Sequence, residues 1–141
     1  MIPIRIRISG FLSYIQPVEL DFTGFNLACI SGANGAGKSS LLDAMTWVLF
    51  GEARLKEDAD AVINSSGSVK EAQVIFEFEY EGQRYKVIRT RARKKTSQLE
   101  FMVADAHEHW KTLTESTMSK TEESIRNTLR LDYRTFTNAS F

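Results

Sequence analysis

Gly32-Ala33-Asn34-Gly35-Ala36-Gly37-Lys38-Ser39 is the stretch on which the reading of this chain turns. It meets G-x-x-x-x-G-K-[ST] at every fixed position, the pattern of a loop that cradles phosphate. Gly32, Gly35 and Gly37 allow several backbone N–H groups to converge on phosphate oxygens, which requires positive φ and no Cβ in the way. The flanks agree with the loop. Phe25 to Ser31 is a short, mostly apolar run suited to a strand buried on both faces. Ser40 to Phe50 carries Leu41, Leu42, Ala44, Met45, Val48 and Leu49 at helical spacing and meets no proline or glycine until Gly51. Such a helix aims its positive dipole end at the anion the loop holds. A glycine-rich turn before a core helix would account for the glycines, but not for Lys38-Ser39 arriving between a strand and a helix. The stretch predicts an α/β P-loop nucleotide-binding fold.

Upstream, Ile2, Ile4, Ile6 and Ile8 alternate with Pro3, Arg5, Arg7 and Ser9, a half-buried strand ended by Gly10. Val18, Leu20 and Phe22 alternate with Glu19 and Asp21 in a second strand, and Thr23-Gly24 turns the chain into the P-loop strand. A simple alternating βαβ fold would place its P-loop on the first strand, so this route to the loop differs from that plan. Downstream lies a polar stretch, Glu52 to Ser68, with a short helix expected over Lys56 to Asn64 and a loop at Asn64-Ser65-Ser66-Gly67. Ala72, Val74, Phe76, Phe78 and Tyr80 then form one face of a strand whose other face carries Glu77 and Glu79. Glu81-Gly82 is a hairpin turn and Tyr85 to Arg93 the returning strand. Leu99, Phe101 and Val103 mark a third strand after the Lys94-Lys95-Thr96 turn, which completes an antiparallel meander. Ser119-Lys120-Thr121-Glu122 fits a capping box, opening an amphipathic helix with Ile125 and Leu129 that runs to about Arg130. Asp132 is placed to cap a further helical turn through Phe136.

The chain has 141 residues, 43% of them hydrophobic, which suits one domain or one lobe rather than two. Eighteen basic residues balance eighteen acidic ones, so any case for nucleic acid rests on local charge. The single Cys29 reads as a small apolar residue of the P-loop strand and suits a reducing compartment. The N-terminus lacks a charged-then-apolar signal pattern and no apolar run is long enough to span a bilayer, so a soluble, cytoplasmic protein with no membrane partner is expected.

Three segments together resemble a known family: Ile6-Arg7-Ile8-Ser9-Gly10-Phe11-Leu12-Ser13-Tyr14, the loop and helix start from Gly32 to Ala44, and Phe136-Thr137-Asn138-Ala139-Ser140-Phe141. They resemble the SbcC-type double-strand-break repair ATPases of the SMC-like branch of the ABC ATPases, and the resemblance covers the whole chain. It implies an ATPase head assembled from the two ends of one long polypeptide, with a long antiparallel coiled coil between them. Residues 1–141 would then be a single N-terminal head lobe, an ABC/SMC-type lobe with a mixed sheet and an antiparallel meander around the P-loop helix. The implied partners are the chain's own C-terminal head half, a second head copy joined by ATP, an SbcD-type nuclease and DNA ends, and the implied location is the nucleoid. The signature sequence, Walker B aspartate and catalytic glutamate would come from the C-terminal half. After the P-loop this sequence has no apolar strand ending in Asp-Glu and no Ser-Gly-Gly run. The chain alone is therefore expected to be close to catalytically inactive.

The resemblance also assigns roles to residues. Lys38 would neutralise the β- and γ-phosphates of ATP, Ser39 would place its hydroxyl on Mg²⁺, and Ser40 would reach the α-phosphate. Backbone N–H groups of Gly35, Ala36 and Gly37 would line the cradle, with Asn34 beside the γ-phosphate. Ser13 matches the family's contact from the first strand's turn. Leu12 departs from the many relatives that carry an arginine there. Asn64, Ser65 and Ser66 fall where relatives approach the adenosine.

Arg84, Lys86, Arg89, Arg91, Arg93, Lys94 and Lys95 place seven basic residues within twelve. Arg89, Arg91 and Arg93 share one face of a strand, which with Lys94 and Lys95 would lay cations along a DNA backbone. The competing reading is a solvated hairpin paired with Glu77 and Glu79. With no interleaved aromatics the patch would bind backbone rather than read bases. His107-Glu108-His109 lacks a third ligand nearby and reads as an exposed loop. Trp47 reads as core, Trp110 as packing over the end of the meander, and Glu19 and Asp21 as solubilising. The alternatives are a self-contained small P-loop kinase, which needs further parallel βα units and an arginine-bearing lid, and a chromosome-condensation or other recombination ATPase of the same branch.

Overall fold

The computed structural model describes residues 1–23, 35–52 and 59–140. The P-loop strand expected at 25–31, Cys29, and the loop residues up to Asn34 lie outside these. Six strands form one sheet: β1 (Ile2–Ser9), β2 (Val18–Asp21), β3 (Glu71–Tyr80), β4 (Gln83–Ala92), β5 (Gln98–Ala104) and β6 (Trp110–Thr112), in the order β2-β1-β3-β4-β5-β6. Every pairing is antiparallel. The described part of the sheet is therefore the meander, extended at one edge by the first two strands. Helices α1 (Gly35–Phe50), α2 (Met118–Leu129) and α3 (Tyr133–Ser140) complete the described elements, with a 3-10 turn at Ala59–Val62.

The period of two decides which side of the sheet is buried. Ile6, Ile8, Ala72, Val74, Phe76, Phe78, Val87 and Phe101 are fully buried on one face, and α1 packs on β3 and β4 there. Helix α1 also touches α2 and α3. Nine of its last ten residues, Leu41 and Asp43 to Phe50, are buried. Its apolar residues run all round the helix, which fits a helix covered on all sides. Each fully buried phenylalanine here contributes about 1.5–3 kcal/mol.

Local chemistry explains the connections. Glu81 and Gly82 both have positive φ, 51° and 77°, as a two-residue type I′ hairpin turn requires. Helix α2 begins earlier than the capping box at Ser119 suggests. Thr117 is its N-cap: its hydroxyl accepts from the Lys120 N–H at 3.1 Å, and Thr121 Oγ1 donates back to the Thr117 carbonyl. Thr121, Ile125 and Leu129 form the buried face at i, i+4 and i+8, and the bonds of Thr121 N–H and Oγ1 to Thr117 O fix the start two residues before the local box. Arg130 ends the helix in the left-handed region, φ 55°. Asp132 caps α3 as expected, accepting from the Thr135 N–H at 2.8 Å, but the helix continues past Phe136 to Ser140. Phe136 is the reason, because it packs edge-on against Phe50 at 5.7 Å and fixes α3 to the end of α1. Strand β6, three residues long, has too short a pattern to show in the sequence.

Candidate nucleotide site

Helix α1 starts at Gly35, so Gly35, Ala36, Gly37, Lys38 and Ser39 occupy its first turns. Backbone N–H groups at the start of a helix lack intrahelical acceptors and are open to an anion. The side chains of 35–39 and all of Asn34 lie outside the described residues. Ser40 is described, and its Oγ lies 3.3 Å from Ser13 Oγ. Two hydroxyls named from separate stretches of sequence, 27 residues apart, thus meet at the first turns of the helix that carries Gly-Lys-Ser.

Ser13 is delivered there by a tight turn after β1. The Tyr14 N–H donates to the Phe11 carbonyl at 2.8 Å, closing four residues with Leu12 and Ser13 at the centre. Leu12 has φ 47°, a conformation leucine adopts only when held. It is held by the last residue of the 3-10 turn and the two that follow it. Leu12 N–H donates to Val62 O at 2.8 Å, Phe11 bridges Ile63, and Asn64 N–H donates to Gly10 O at 2.8 Å. Below the turn, Phe11 packs on Trp47 of α1 at 5.2 Å, which gives Trp47 the core role expected of it. Burial pushes the Tyr14 phenol above its ordinary value.

Asn64 does not stand as a free polar group. It is buried, its Nδ2 donates to the Leu12 carbonyl, and its Oδ1 accepts from Ser66 N–H at 2.8 Å. Its amide is engaged within the protein on both sides, so the adenosine contact expected of it gains nothing from this geometry. Ser66 Oγ is paired with Ser68 Oγ at 2.9 Å, and Ser65 is exposed.

The expected line of cations on β4 is corrected by the register. Val74 stands opposite Arg89 and Ala72 opposite Arg91, and residues directly opposite across an antiparallel pair share a face. That face is the buried one. Arg89 is 3% exposed and cannot lie along DNA. Its Nε donates to Val48 O at 3.4 Å near the end of α1, and its Nη1 lies 3.8 Å from Glu122 Oε1 of α2. Burial pulls the guanidinium down to about 10, against the opposing pull of Glu122, so it stays charged at neutral pH. Arg91 Nε donates to Asp60 Oδ1 at 2.9 Å, and Arg93 Nη2 donates to Asn64 O at 2.8 Å. Both tie the 60–64 segment to the sheet. Arg93 is nevertheless exposed, as are Lys94 and Lys95 at the turn that follows. Glu77 does pair with a cation of β4, but with Lys86 at 3.8 Å on the opposite face.

Asp60 is the residue sequence reasoning missed. It receives Arg91, 31 positions away, and the Lys94 N–H at 3.1 Å, and no local pattern announces either. The hydrogen bond from Arg91, then that from Lys94, holds its carboxyl below the ordinary aspartate value of 3.8. A carboxyl depressed by folding stabilises the fold above its unfolded value, and that contribution is lost as the pH falls through the folded value. The urea midpoints of wild type and Asp60→Asn are therefore expected to differ fully at pH 7 and to converge below pH 3.8. A constant difference across that window would place the effect of Asp60 outside its charge.

The remaining candidates are structural. Asp105 Oδ1 accepts the N–H groups of His107 and His109 at 2.8 and 2.9 Å and organises an exposed loop. No cluster of three metal-ligating residues occurs among the described residues. Trp110 lies under Lys86 Nζ, 4.4 Å from the ring centroid, and Glu19 pairs with Arg5 at 3.2 Å. No helix among the described residues is long and apolar enough to cross a membrane.

Comparison with known proteins follows the same lines. The family model described as "AAA domain" matches residues 5–141. The SbcC component of the SbcCD nuclease of Deinococcus radiodurans is 36% identical over 139 residues, 97% of this chain and 15% of that protein. The DNA double-strand break repair Rad50 ATPase of Thermoplasma acidophilum is 40% identical over 95 residues, 67% of this chain and 10% of that protein. Chromosome partition protein Smc of Methylococcus capsulatus is 38% identical over 73 residues, 48% of this chain and 6% of that protein. The chain thus spans a small part, 15% at most among these three, of the length of its relatives. With a P-loop sequence opening a buried helix and a family model matching nearly end to end, the chain belongs to the AAA domain family of P-loop ATPases and is of the SbcC/Rad50 type.

Proposed function

We propose that residues 1–141 form the ATP-binding N-terminal lobe of a DNA-repair ATPase head of the ABC/SMC type. The observation that carries this reading is the meeting of Ser13 and Ser40 at 3.3 Å on the first turns of the helix that bears Gly37-Lys38-Ser39. The residues fit the group. Helix-start N–H groups of Gly35, Ala36 and Gly37 suit phosphate oxygens, Lys38 suits the β- and γ-phosphates, and the Ser39 hydroxyl suits Mg²⁺. Asn34 would stand beside the γ-phosphate. ATP with Mg²⁺, when bound, supplies a γ-phosphate whose presence or loss distinguishes two states of the head.

The wider reading draws on the relatives, whose names describe a component of the SbcCD nuclease and Rad50 repair ATPases. In it, the lobe is completed by its own C-terminal half, pairs with a second head around ATP, and couples that state to an SbcD-type nuclease at DNA ends, in the cytoplasm on the nucleoid. Of the basic run, Arg84, Arg93, Lys94 and Lys95 are exposed, and Lys94 and Lys95 are proposed to meet a DNA backbone, because Arg93 Nη2 already donates to Asn64 O and Arg84 lies 3.9 Å from Glu108. A small kinase is disfavoured, because the described sheet is antiparallel throughout and adds none of the parallel βα units such an enzyme needs.

Lys38→Ala tests the reading directly. Truncating the cation that faces the phosphates is expected to weaken ATP binding by about 100-fold or more. Isothermal titration on the full-length polypeptide measures it, with circular dichroism confirming an intact fold. Unchanged affinity in a folded variant would remove the phosphate assignment.

A further inference from the structure

We propose that Asn64 is a positioning residue for nucleotide binding: it clamps the Leu12–Tyr14 turn so that Ser13 Oγ reaches Ser40 Oγ, and it acts through Ser13 without touching the nucleotide. The inference rests on the ATP-binding reading above and gives that site a second layer. Asn64 holds this segment at two points, its N–H at Gly10 O (2.8 Å) just before the turn and its Nδ2 at Leu12 O within it. Those carbonyls bracket Phe11, which Val62 and Ile63 hold from the same side. A leucine at φ 47° is disfavoured by about 1–2 kcal/mol, so the turn needs an external hold to keep its shape.

The side chain type follows from the partners. One must be given a hydrogen atom, the Leu12 carbonyl, and one must offer one, the Ser66 N–H at 2.8 Å. Only an amide of this length supplies a donor and an acceptor on the same planar end. Aspartate keeps the acceptor and loses the donor. Asn64 is in turn fixed from the sheet, because Arg93 Nη2 donates to its backbone carbonyl at 2.8 Å. A continuous set of bonds therefore runs from Arg93, just past the end of β4, through Asn64 and Leu12 to the turn that carries Ser13, and from Ser13 to α1.

A double-mutant cycle on ATP affinity decides the matter, using the full-length polypeptide with Asn64→Ala, Ser13→Ala and both together. Asn64→Ala is expected to weaken ATP about 10-fold, the loss typical of one well-placed hydrogen bond to a buried group. In the Ser13→Ala background the same change should cost less than about 2-fold, because residues acting in series are not additive. GTP and ATP should weaken by the same factor. Leu12→Gly, which relaxes the positive φ, should restore most of the affinity lost in Asn64→Ala. Additive losses, a loss confined to ATP, or no loss in Asn64→Ala would each overturn the proposal, the second by showing a direct contact with the base. Should Asn64→Ala not fold, the near-isosteric Asn64→Asp takes its place in the same cycle with the same expected outcomes. Failure of the underlying reading looks different: there, Lys38→Ala leaves ATP affinity unchanged.

Discussion

Arg89→Ala is expected to lower the free energy of unfolding by about 3–5 kcal/mol, the range for breaking one side of a buried ion pair. Three losses combine. The Val48 carbonyl near the end of α1 loses the Nε donor at 3.4 Å, Glu122 loses the cation 3.8 Å away, and a side-chain-sized hole opens between β4, α1 and α2. One gain opposes them, since a desolvated charge disappears, and the depression of Arg89 to about 10 shows that burial weighs against that charge. Its Nη2 has no hydrogen-bond partner among the described residues, which adds to the same side. The losses are larger because they leave Glu122, itself four-fifths covered, without its partner. The double variant Arg89→Met with Glu122→Gln removes both charges and keeps the volume, and should return to within about 1–2 kcal/mol of wild type. Urea unfolding measures both. A cost below about 1 kcal/mol for Arg89→Ala would show that the guanidinium does not hold the end of the P-loop helix to the sheet.

Gly10→Ala is the second large effect, about 3 kcal/mol or more. Gly10 has φ 62°, and a Cβ built on it would fall 2.1 Å from Glu71 O and 3.0 Å from Val69 Cγ1. The backbone oxygen has little room to retreat, because Gln73, two residues on, is paired with Ser9 in the β1–β3 ladder. The positive φ alone would cost an alanine about 1–2 kcal/mol, and the overlap adds the rest. Gly82→Ala separates the two contributions. Gly82 has φ 77° with nothing within 4 Å of its built Cβ, so that variant should show the backbone cost alone. Because Gly10 O accepts from Asn64 N–H, the Gly10 variant should also displace the Ser13 turn and weaken ATP. Equal losses in the two variants would mean that Gly10 is needed only for its φ.

What can be read from the sequence, and what cannot, separates by range. Helix α1 is legible because an unbroken apolar segment starting at a glycine-lysine-serine loop has few other ways to fold. The hairpin at Glu81-Gly82 and the cap at Asp132 are legible because a turn and a cap are made by residues two or three apart. The start of α2 is misplaced to Ser119 because two hydroxyl residues stand two positions apart, and the one that caps is Thr117, whose hydroxyl takes Lys120 N–H and whose carbonyl takes Thr121 N–H and Oγ1. The arginines of β4 mislead for a different cause. Their period of two is visible, but alternation gives two faces without saying which is inside, and polar residues are by default placed outward. Pairing of Ala72 and Val74 with Arg91 and Arg89 turns that end of the strand inward.

By itself the sequence determined the helix that opens at Gly-Lys-Ser, the alternating strands and the family, because each rests on backbone geometry and side-chain spacing within a few residues. Only the tertiary structure decided that Ser13 meets Ser40, that Arg89 and Arg91 serve the fold, and that the Asn64 amide is used up beneath the Ser13 turn. Those outcomes join residues 27, 41, 31 and 52 positions apart. Sheet register and helix docking set such pairings, and both follow from how the whole core packs rather than from any segment of the chain.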